Sequence, residues 1–363
     1  MSKSSLAVVY GQPDRLSTSF QTRCLAGALA TRFDVRHHSI SPAETPLLQK
    51  IARLEKNAFQ LRFKPPAADY VLYCNDGFFD LRAARGRKLL YWYDAPADWA
   101  NAPPKRWQMV DRIRYTNVVT ADFVFAVSQA QVDMAHKLRP DARDTVVYLP
   151  VGVNCDEFAP QKANAGMAKR AYHVPDDKVI VGYLGRLGIT GERYAGQALL
   201  EAASTIAANV DAHFLIVGDG PALNVFRRDA RSLGLQERFT FTGFVPQDIL
   251  PSCIAAMDVC VDTLEPGFHS HARSETKLKQ YMAMGRACVA TDMGENRVDL
   301  ADGACGVLCK PGPEALSDAV VKLCHDAARR ERLGQSARER AERFYDWRRL
   351  AAQFTAALER GTA

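Results

Sequence analysis

The sequence predicts an α/β protein built from two doubly wound domains. Short apolar runs alternate with longer amphipathic stretches along the chain, which is the pattern of a parallel sheet covered by helices on both faces. The chain has 363 residues, more than one hydrophobic core normally serves, so two domains are expected. A hydrophobic content of 47% with 24% charged residues is ordinary globular composition.

The order of apolar runs gives the predicted strands. Between the first two of them, Leu25, Leu29 and Phe33 recur at helical spacing. In the first half, the predicted strands are 6–10, 70–74, 89–93, 123–128 and 145–149. In the second half, they are 179–184, 213–217, 239–242, 259–262, 287–290 and 307–309.

The domain boundary is predicted in residues 150–176, where glycines and prolines interrupt the pattern. We assign 1–165 to an N-terminal domain and 166–363 to a C-terminal domain. Beyond Pro313 the chain is helical and charged, and its last helix is a candidate to cross back to the first domain. An apolar stripe there is expected to pack against the body of the protein. Its residues are Phe344, Trp347, Leu350, Phe354 and Leu358.

Charge and cysteine content bear on partners and compartment. Residues 1–150 hold 21 Lys and Arg against 14 Asp and Glu, so the positive charge belongs to the first half. Its basic stretches at 82–88 and 105–114 would attract an acidic or phospholipid-linked acceptor or an anionic membrane surface, although solvated helix faces explain them equally well. No nucleic-acid module is recognisable.

The nine cysteines form no CxxC pair, and no apolar run approaches the roughly 20 residues needed to cross a bilayer. The first thirty residues lack a basic segment followed by an apolar one. We therefore expect a cytoplasmic protein with reduced thiols, and peripheral contact with the inner face of the membrane is an open option. Neither Cys305 with Cys309 nor His269 with His271 completes a metal site, so no metal is predicted.

Two glycine turns follow predicted strands of the second half. The first is Gly185-Arg186-Leu187, where glycine lets the backbone approach an anion and arginine offers a bidentate fork to a phosphate. The second contains Gly218 at the carboxyl end of the next strand, where open α/β sheets bind their ligands. Each turn alone is also explained as a simple loop.

A third segment is more specific. Ser274, Glu275, Thr276 and Lys277 open a short helix that Gly285 ends, and a buried strand follows at once. The unpaired amides at the start of this helix point to the same sheet edge as Gly185 and Gly218. We therefore predict that a pyrophosphate is held between them.

In this order, the motifs resemble the donor domain of glycosyltransferase family 4. The resemblance covers residues 178–355 and includes Phe241-Thr-Gly-Phe-Val245 and Lys277-Leu-x-x-Tyr-Met-Ala-x-Gly285. It implies the GT-B fold, two Rossmann-like domains facing across a cleft, and retaining, metal-independent transfer from a nucleotide-diphosphate sugar. It implies a glycan, lipid-linked or small-molecule acceptor. It implies no cofactor, since the UDP- or GDP-linked sugar is a substrate.

The resemblance assigns Arg186 to the phosphates, as a catalytic as well as a binding residue. The family's lysine partner is absent, and Arg193 or Lys277 is a candidate substitute. The family's paired glutamates are replaced by Ala272 and Gln280, of which Gln280 is expected at the ribose. An amide makes weaker hydrogen bonds there than a carboxylate, by about 1 kcal/mol or more each. Glu265 and Glu275 are candidates to take over this role.

The acceptor side is predicted from the first half of the chain. Asp94 and Trp99 follow a predicted strand, where the family places a polar residue near the transferred sugar, and Asp94 is the catalytic candidate. A helix-capping aspartate is the alternative. Gly11 and Gln12, just after the first strand, are expected on the same side.

Three other functions are alternatives to glycosyl transfer. A nicotinamide-dependent oxidoreductase needs GxGxxG early in a βαβ unit, and neither half contains it. Ala272 and Gln280 motivate a second alternative, a catalytically weak nucleotide-binding relative or partner subunit of an active transferase. A nucleotide-sugar epimerase or hydrolase on the same fold is a third.

Overall fold

The computed structural model describes residues 3–10, 17–39, 67–74, 80–93, 105–190, 193–266 and 268–360. The chain divides into two compact units. The first consists of Met1–Gly152, Gly267–Ser274 and Trp347–Ala363, and the second of Val153–Pro266 and Glu275–Asp346.

The first unit contains a sheet of six parallel strands in the order β2-β1-β3-β4-β5-β6. Its strands are β1 (Ser5–Tyr10), β2 (Asp34–Ser39), β3 (Ala67–Cys74), β4 (Arg85–Trp92), β5 (Phe123–Ala126) and β6 (Val146–Tyr148). The accompanying helices are α1 (Ser17–Leu29), α2 (Lys105–Thr120) and α3 (Gln129–Leu138), with 3₁₀ turns at Leu81–Ala83 and Pro140–Thr145.

Strand β1 shows why these segments form a buried sheet. Leu6 and Val8 pack into the core on one face, whereas Ala7 and Val9 pack into the core on the other. Side chains alternate across a strand, so an uninterrupted apolar run fits only a strand with a core on both sides. Strand β2 is absent from the prediction because its sequence, which includes His37 and His38, has no apolar run.

The second unit also has a six-stranded parallel sheet, in the order β11-β10-β7-β12-β13-β14. The strands from residue 153 onward are β7 (Val179–Leu184), β8 (Ile189–Thr190), β9 (Arg193–Tyr194), β10 (Ala212–Val217), β11 (Phe239–Phe241), β12 (Val259–Asp262), β13 (Ala287–Thr291) and β14 (Val307–Cys309). The short antiparallel pair β8–β9 is a separate hairpin.

The helices after residue 153 extend to the end of the described chain, and all but two of them lie in the second unit. They are α4 (Ala165–Ala171), α5 (Gln197–Asn209), α6 (Leu223–Ser232), α7 (Leu250–Ala255), α8 (Phe268–His271), α9 (Thr276–Ala283), α10 (Glu295–Asp299), α11 (Pro313–Cys324), α12 (Ala327–Arg340) and α13 (Trp347–Arg360). 3₁₀ turns lie at Pro160–Lys162, Gln236–Arg238 and Ala301–Gly303, and a π-helical segment spans Ala341–Tyr345.

The predicted α/β class with two doubly wound sheets is confirmed. The predicted boundary is residue 165, whereas the structure divides after Gly152. The segment beyond Gly152 packs with the second unit: the Val153 amide donates to the Tyr345 carbonyl at 2.8 Å, and Phe158 is buried in that unit's core.

Helix α13 belongs to the first unit and places Trp347, Leu350, Phe354 and Leu358 in its core. The Phe354 ring stacks on Phe125 with centroids 4.1 Å apart. The prediction that Phe344 continues this apolar stripe is wrong, because Phe344 is exposed. The π-helical segment ends at Tyr345 and Asp346 is extended, so Phe344 and Trp347 do not share one continuous helix.

Other sequence expectations concern thiols and membrane spans. All nine cysteines are free, and eight of them are buried. Within the described ranges, no helix combines the length and the apolar character that crossing a membrane would need. Those ranges also contain no cluster of three or more histidine, cysteine or acidic side chains suited to holding a metal ion.

Candidate functional site

The candidate site lies at the carboxyl edge of the second unit's sheet, around strand β7. This strand pairs with β10 on one side and with β12 on the other, so the strand order reverses on either side of it. Parallel sheets of this kind leave a crevice at such a switch point, and ligands bind there. The loops after β7, β10 and β12 therefore form the candidate site.

Backbone hydrogen bonds join the glycine loops after β7 and β10. The Gly185 amide donates to the Val217 carbonyl at 3.0 Å, and the Leu187 amide donates to the Asp219 carbonyl at 2.9 Å. A Cβ atom on Gly218, whose φ is 137°, would overlap the carbonyl oxygen of Gly185. The two loops are this close only because residue 218 has no side chain.

Arg186 extends from this pair of loops into solvent. Its neighbour Leu187 is fully buried, whereas Arg186 is exposed. It forms no ion pair with any residue in the part of the chain that the structure describes. The arginine thus presents its charge at the switch point, where the resemblance predicts a phosphate.

Helix α9 begins beside the end of β7. The Tyr281 hydroxyl accepts a hydrogen bond from the Leu184 amide at 2.7 Å. The Lys277 ammonium lies 4.8 Å from the centroid of the Tyr183 ring and 3.5 Å from its hydroxyl oxygen. The two predicted halves of the donor site, the loop after β7 and the first turn of α9, are therefore neighbours in the structure.

The ends of α9 follow from its sequence. Glu275 occupies the N-cap position, but its side chain forms no capping hydrogen bond to the helix. At the other end, Gly285 adopts φ 61°, and the Arg286 amide bonds to the Tyr281 carbonyl, as in a Schellman cap. The helix is thus fixed at its carboxyl end, whereas the Glu275 side chain does not cap its N-terminal amides.

A buried charged cluster stands at the first turn of α9. The Lys277 Nζ lies 2.9 Å from a carboxylate oxygen of Asp262 and 3.7 Å from one of Glu275. Asp262, the last residue of β12, is completely buried. Neither Asp262 nor Tyr183 was a predicted site residue. The signal that points to Asp262 is a charged residue at the carboxyl end of an otherwise apolar central strand.

Arg193 lies on strand β9, and its charge is already compensated. Its guanidinium forms ion pairs with Glu201 at 2.9 Å and with Glu265 at 3.1 Å. The hydrogen bond with Glu201, followed by the charge of Glu265, raises the pKa of Arg193 above its usual value. The guanidinium also lines a small pocket with Thr263, Thr291 and Lys310, among other residues, next to the ends of β12–β14.

The remaining predicted donor residues occupy different surroundings. Gln280 is buried on α9, and Ala272 is completely buried. Ser274 uses its hydroxyl to accept a hydrogen bond from the Val151 amide at 3.3 Å, within the first unit. Thr276 is half-buried at the start of α9.

The predicted acceptor residues Gly11, Gln12, Asp94 and Trp99 lie outside the described residues. The basic stretch at 82–88 is described. Arg85, Arg87 and Lys88 occupy the amino-terminal half of β4, whereas parallel sheets bind ligands at the carboxyl ends of their strands. Arg82, just before β4, is paired with Asp80 at 2.5 Å. The expected attraction of an acceptor or a membrane surface to residues 82–88 stays a prediction.

Residues 178–326 match the family model described as "Glycosyl transferases group 1". The matched segment runs from the start of β7 past the end of α11 and so includes both glycine loops and the whole of α9.

Named relatives support the same family. The chain is 31% identical to alpha-D-kanosaminyltransferase of Streptomyces kanamyceticus over 186 residues, which is 50% of this chain and 46% of the relative. It is 29% identical to a GDP-mannose-dependent alpha-(1-6)-phosphatidylinositol monomannoside mannosyltransferase of Mycobacterium tuberculosis over 243 residues, covering 66% and 60%. The chain thus spans about half the length of the curated relatives it matches.

Solved structures show the same fold at low identity. Sucrose-phosphate synthase from Thermosynechococcus elongatus superimposes with a TM-score of 0.74 at 18% identity, covering 98% of both chains. HepE of Anabaena, solved in complex with UDP and glucose, gives a TM-score of 0.75 at 14% identity, covering 98% of this chain and 99% of that one. The chain therefore has the GT-B fold predicted from its motifs.

Proposed function

We propose that this chain is a glycosyltransferase that binds a nucleotide-diphosphate sugar at the carboxyl edge of the second unit's sheet. The observation that carries the proposal is the position of Arg186: exposed, without an ion pair among the described residues, and next to two glycine loops at the switch point. A cation in such a place meets a phosphate group with two parallel hydrogen bonds.

The proposed chemistry depends on stabilising the leaving diphosphate. As the bond to the sugar breaks, negative charge grows on the phosphate oxygens, and donors already in position lower that barrier. Arg186 supplies one such donor, and the N-terminal amides of α9 supply a helix terminus that favours an anion. Transfer with retention and without a metal ion is part of the proposal, supported by the family resemblance.

The donor and acceptor are proposed as classes. The mannosyltransferase relative is named as GDP-mannose-dependent, and HepE was solved with UDP, so UDP- and GDP-linked sugars are the first donors to test. The acceptor is a glycan, a lipid-linked sugar or a small molecule. The mannosyltransferase relative has phosphatidylinositol monomannoside in its name, which is a lipid-linked sugar.

A thermal-shift panel of UDP, GDP, ADP and their sugars tests donor binding, because a ligand that binds only the folded state raises its apparent stability. One diphosphate is expected to raise the melting temperature, and Arg186→Ala is expected to remove most of that rise. Arg231→Ala is the matched control, since Arg231 is an exposed arginine in the last turn of α6. No response of the wild type to any nucleotide would overturn the proposal.

Ala272 and Gln280 favour one second candidate, a relative that binds nucleotide but transfers sugar weakly or acts as a partner subunit. Gln280→Glu tests it, because a carboxylate accepts stronger hydrogen bonds from ribose hydroxyls than an amide does. Under the transferase proposal, the wild type releases nucleotide from a donor in the presence of an acceptor, and the variant binds nucleotide several-fold more tightly. Tight nucleotide binding without any turnover, in both proteins, would favour the second candidate.

A further inference from the structure

A second cation is needed beside Arg186, because a diphosphate carries more negative charge than one guanidinium neutralises. Two side chains of the second unit stand close enough to the glycine loops in sequence or space to compete for this role. Arg193 follows the loop after β7 in the chain, and Lys277 lies on the first turn of α9. Their surroundings differ in ways that decide between them.

Arg193 is held in place by both of its terminal nitrogens. The hydrogen bonds from Nη1 and Nη2 to the carboxylate of Glu201 measure 3.2 and 2.9 Å, and Nη2 also pairs with Glu265. A guanidinium is a rigid fork, so one that grips a carboxylate with both arms must release it to grip a phosphate.

Lys277 stands against strand β7 itself. Its ammonium contacts the Tyr183 hydroxyl at 3.5 Å, and that hydroxyl is 3.4 Å from the position a Cβ atom on Gly185 would occupy. The Lys277 ammonium is therefore separated from the loop that carries Arg186 only by the Tyr183 side chain. An ammonium has three donors on a flexible stem, so it can keep Asp262 and bind a phosphate oxygen at the same time.

Asp262 compensates the charge of Lys277. The Lys277 side chain is only 12% exposed, and a charge in such a place is costly unless it is paired. The completely buried carboxylate of Asp262, at 2.9 Å, is its partner. Glu275, at 3.7 Å, acts in the same direction and lies beside the partial positive charge of the helix N-terminus.

We propose that Lys277, positioned by Asp262, supplies the second positive charge to the donor's diphosphate, and that Arg193 instead fastens the loop after β12 to α5. This inference rests on the proposed function and names the residue that replaces the lysine missing from its family position. Lys277 is the binding residue and Asp262 the positioning residue.

The test compares nucleoside diphosphates with monophosphates. Lys277→Met alone would leave a buried carboxylate without its cation, which is strongly destabilising, so the main variant is Asp262→Asn/Lys277→Met. Arg193→Met is the competing variant, since it removes the other candidate cation. Circular dichroism and the melting temperature without ligand establish that each variant is folded.

Isothermal titration calorimetry with UDP, UMP, GDP and GMP gives the readout. The double variant is expected to bind the preferred diphosphate about tenfold more weakly or worse, with its preference over the monophosphate largely lost. Arg193→Met is expected to keep that preference. A preserved preference in the double variant, or its loss only in Arg193→Met, overturns the inference while leaving the proposed function standing. Failure of the wild type to bind any of the four nucleotides overturns both.

Discussion

The backbone amide of Leu184 donates a hydrogen bond of 2.7 Å to the hydroxyl of Tyr281. This contact joins the last residue of β7 to the middle of α9, both of them buried. Because Gly185 and Arg186 follow Leu184 directly, the same contact sets the distance between the glycine loop and the helix that together form the candidate site.

Tyr281→Phe is therefore expected to destabilise the second unit. The substitution leaves the buried Leu184 amide without this acceptor, at a cost of about 1–3 kcal/mol. Urea unfolding followed by circular dichroism measures the change. Tyr172→Phe is the control, because Tyr172 is only partly buried, and it should shift stability by less than about 0.5 kcal/mol. Equal stabilities for the two variants would show that the hydroxyl of Tyr281 does not hold the strand.

Gly218→Ala is expected to disrupt the paired glycine loops. Residue 218 has φ 137°, and a Cβ atom there would overlap the Gly185 carbonyl oxygen, so the loops must separate. We expect a stability loss of about 1–3 kcal/mol and a weaker response to nucleotide. Gly188→Ala, in the same region but with open space around its Cβ position, should be tolerated. A loss as large in Gly188→Ala would contradict this account.

Lys279 and Asp299 form an ion pair in which both side chains are completely buried, with Nζ and Oδ2 2.5 Å apart. Lys279→Met leaves a buried carboxylate without its cation, and we expect a loss of about 3–5 kcal/mol in the free energy of unfolding. The double variant Lys279→Met/Asp299→Leu removes both charges and should recover most of that loss. Denaturant unfolding of both proteins provides the measurement. A double variant that is no more stable than the single one would contradict the expected recovery.

His213 is expected to make the protein less stable in acid. Burial, followed by the nearby charges of Lys178 and Arg238, lowers the pKa of His213 to about 4, and its Nε2 lies 2.9 Å from the Thr240 hydroxyl oxygen. The unfolded chain takes up a proton at about pH 6.5, which the folded chain resists. The stability that His213 contributes is thus complete above pH 6.5 and falls as the pH drops towards 4.

The matched variant for this prediction is His213→Gln, which cannot gain a proton. Between pH 7 and pH 4.5, the wild type should lose roughly 1–3 kcal/mol more stability than the variant. Chemical denaturation at a series of pH values measures the difference. Parallel stability curves for the two proteins would show that His213 does not set the acid sensitivity.

The sequence determined those features that depend on local pattern. Uninterrupted apolar runs identified the central strands of both sheets, and the ordered glycine and helix motifs predicted the kind of family model that residues 178–326 match. The polar edge strand β2 was missed because its sequence has no such run. Phe344 was predicted on the wrong face. A helical pattern in the sequence assumes one continuous helix with a constant number of residues per turn, and the π-helical segment does not keep that number.

Only the tertiary structure decided which charges are compensated. Along the chain, Arg186, Arg193 and Lys277 are three similar cations near the same motifs. The fold brings Glu201 and Glu265 to Arg193, brings Asp262 to Lys277, and leaves Arg186 in solvent. Glu201 is near Arg193 in the chain, but Glu265 and Asp262 reach their cations from the end of β12. Electrostatic energy depends on distances in space, so no reading of the chain alone could have distinguished the three roles.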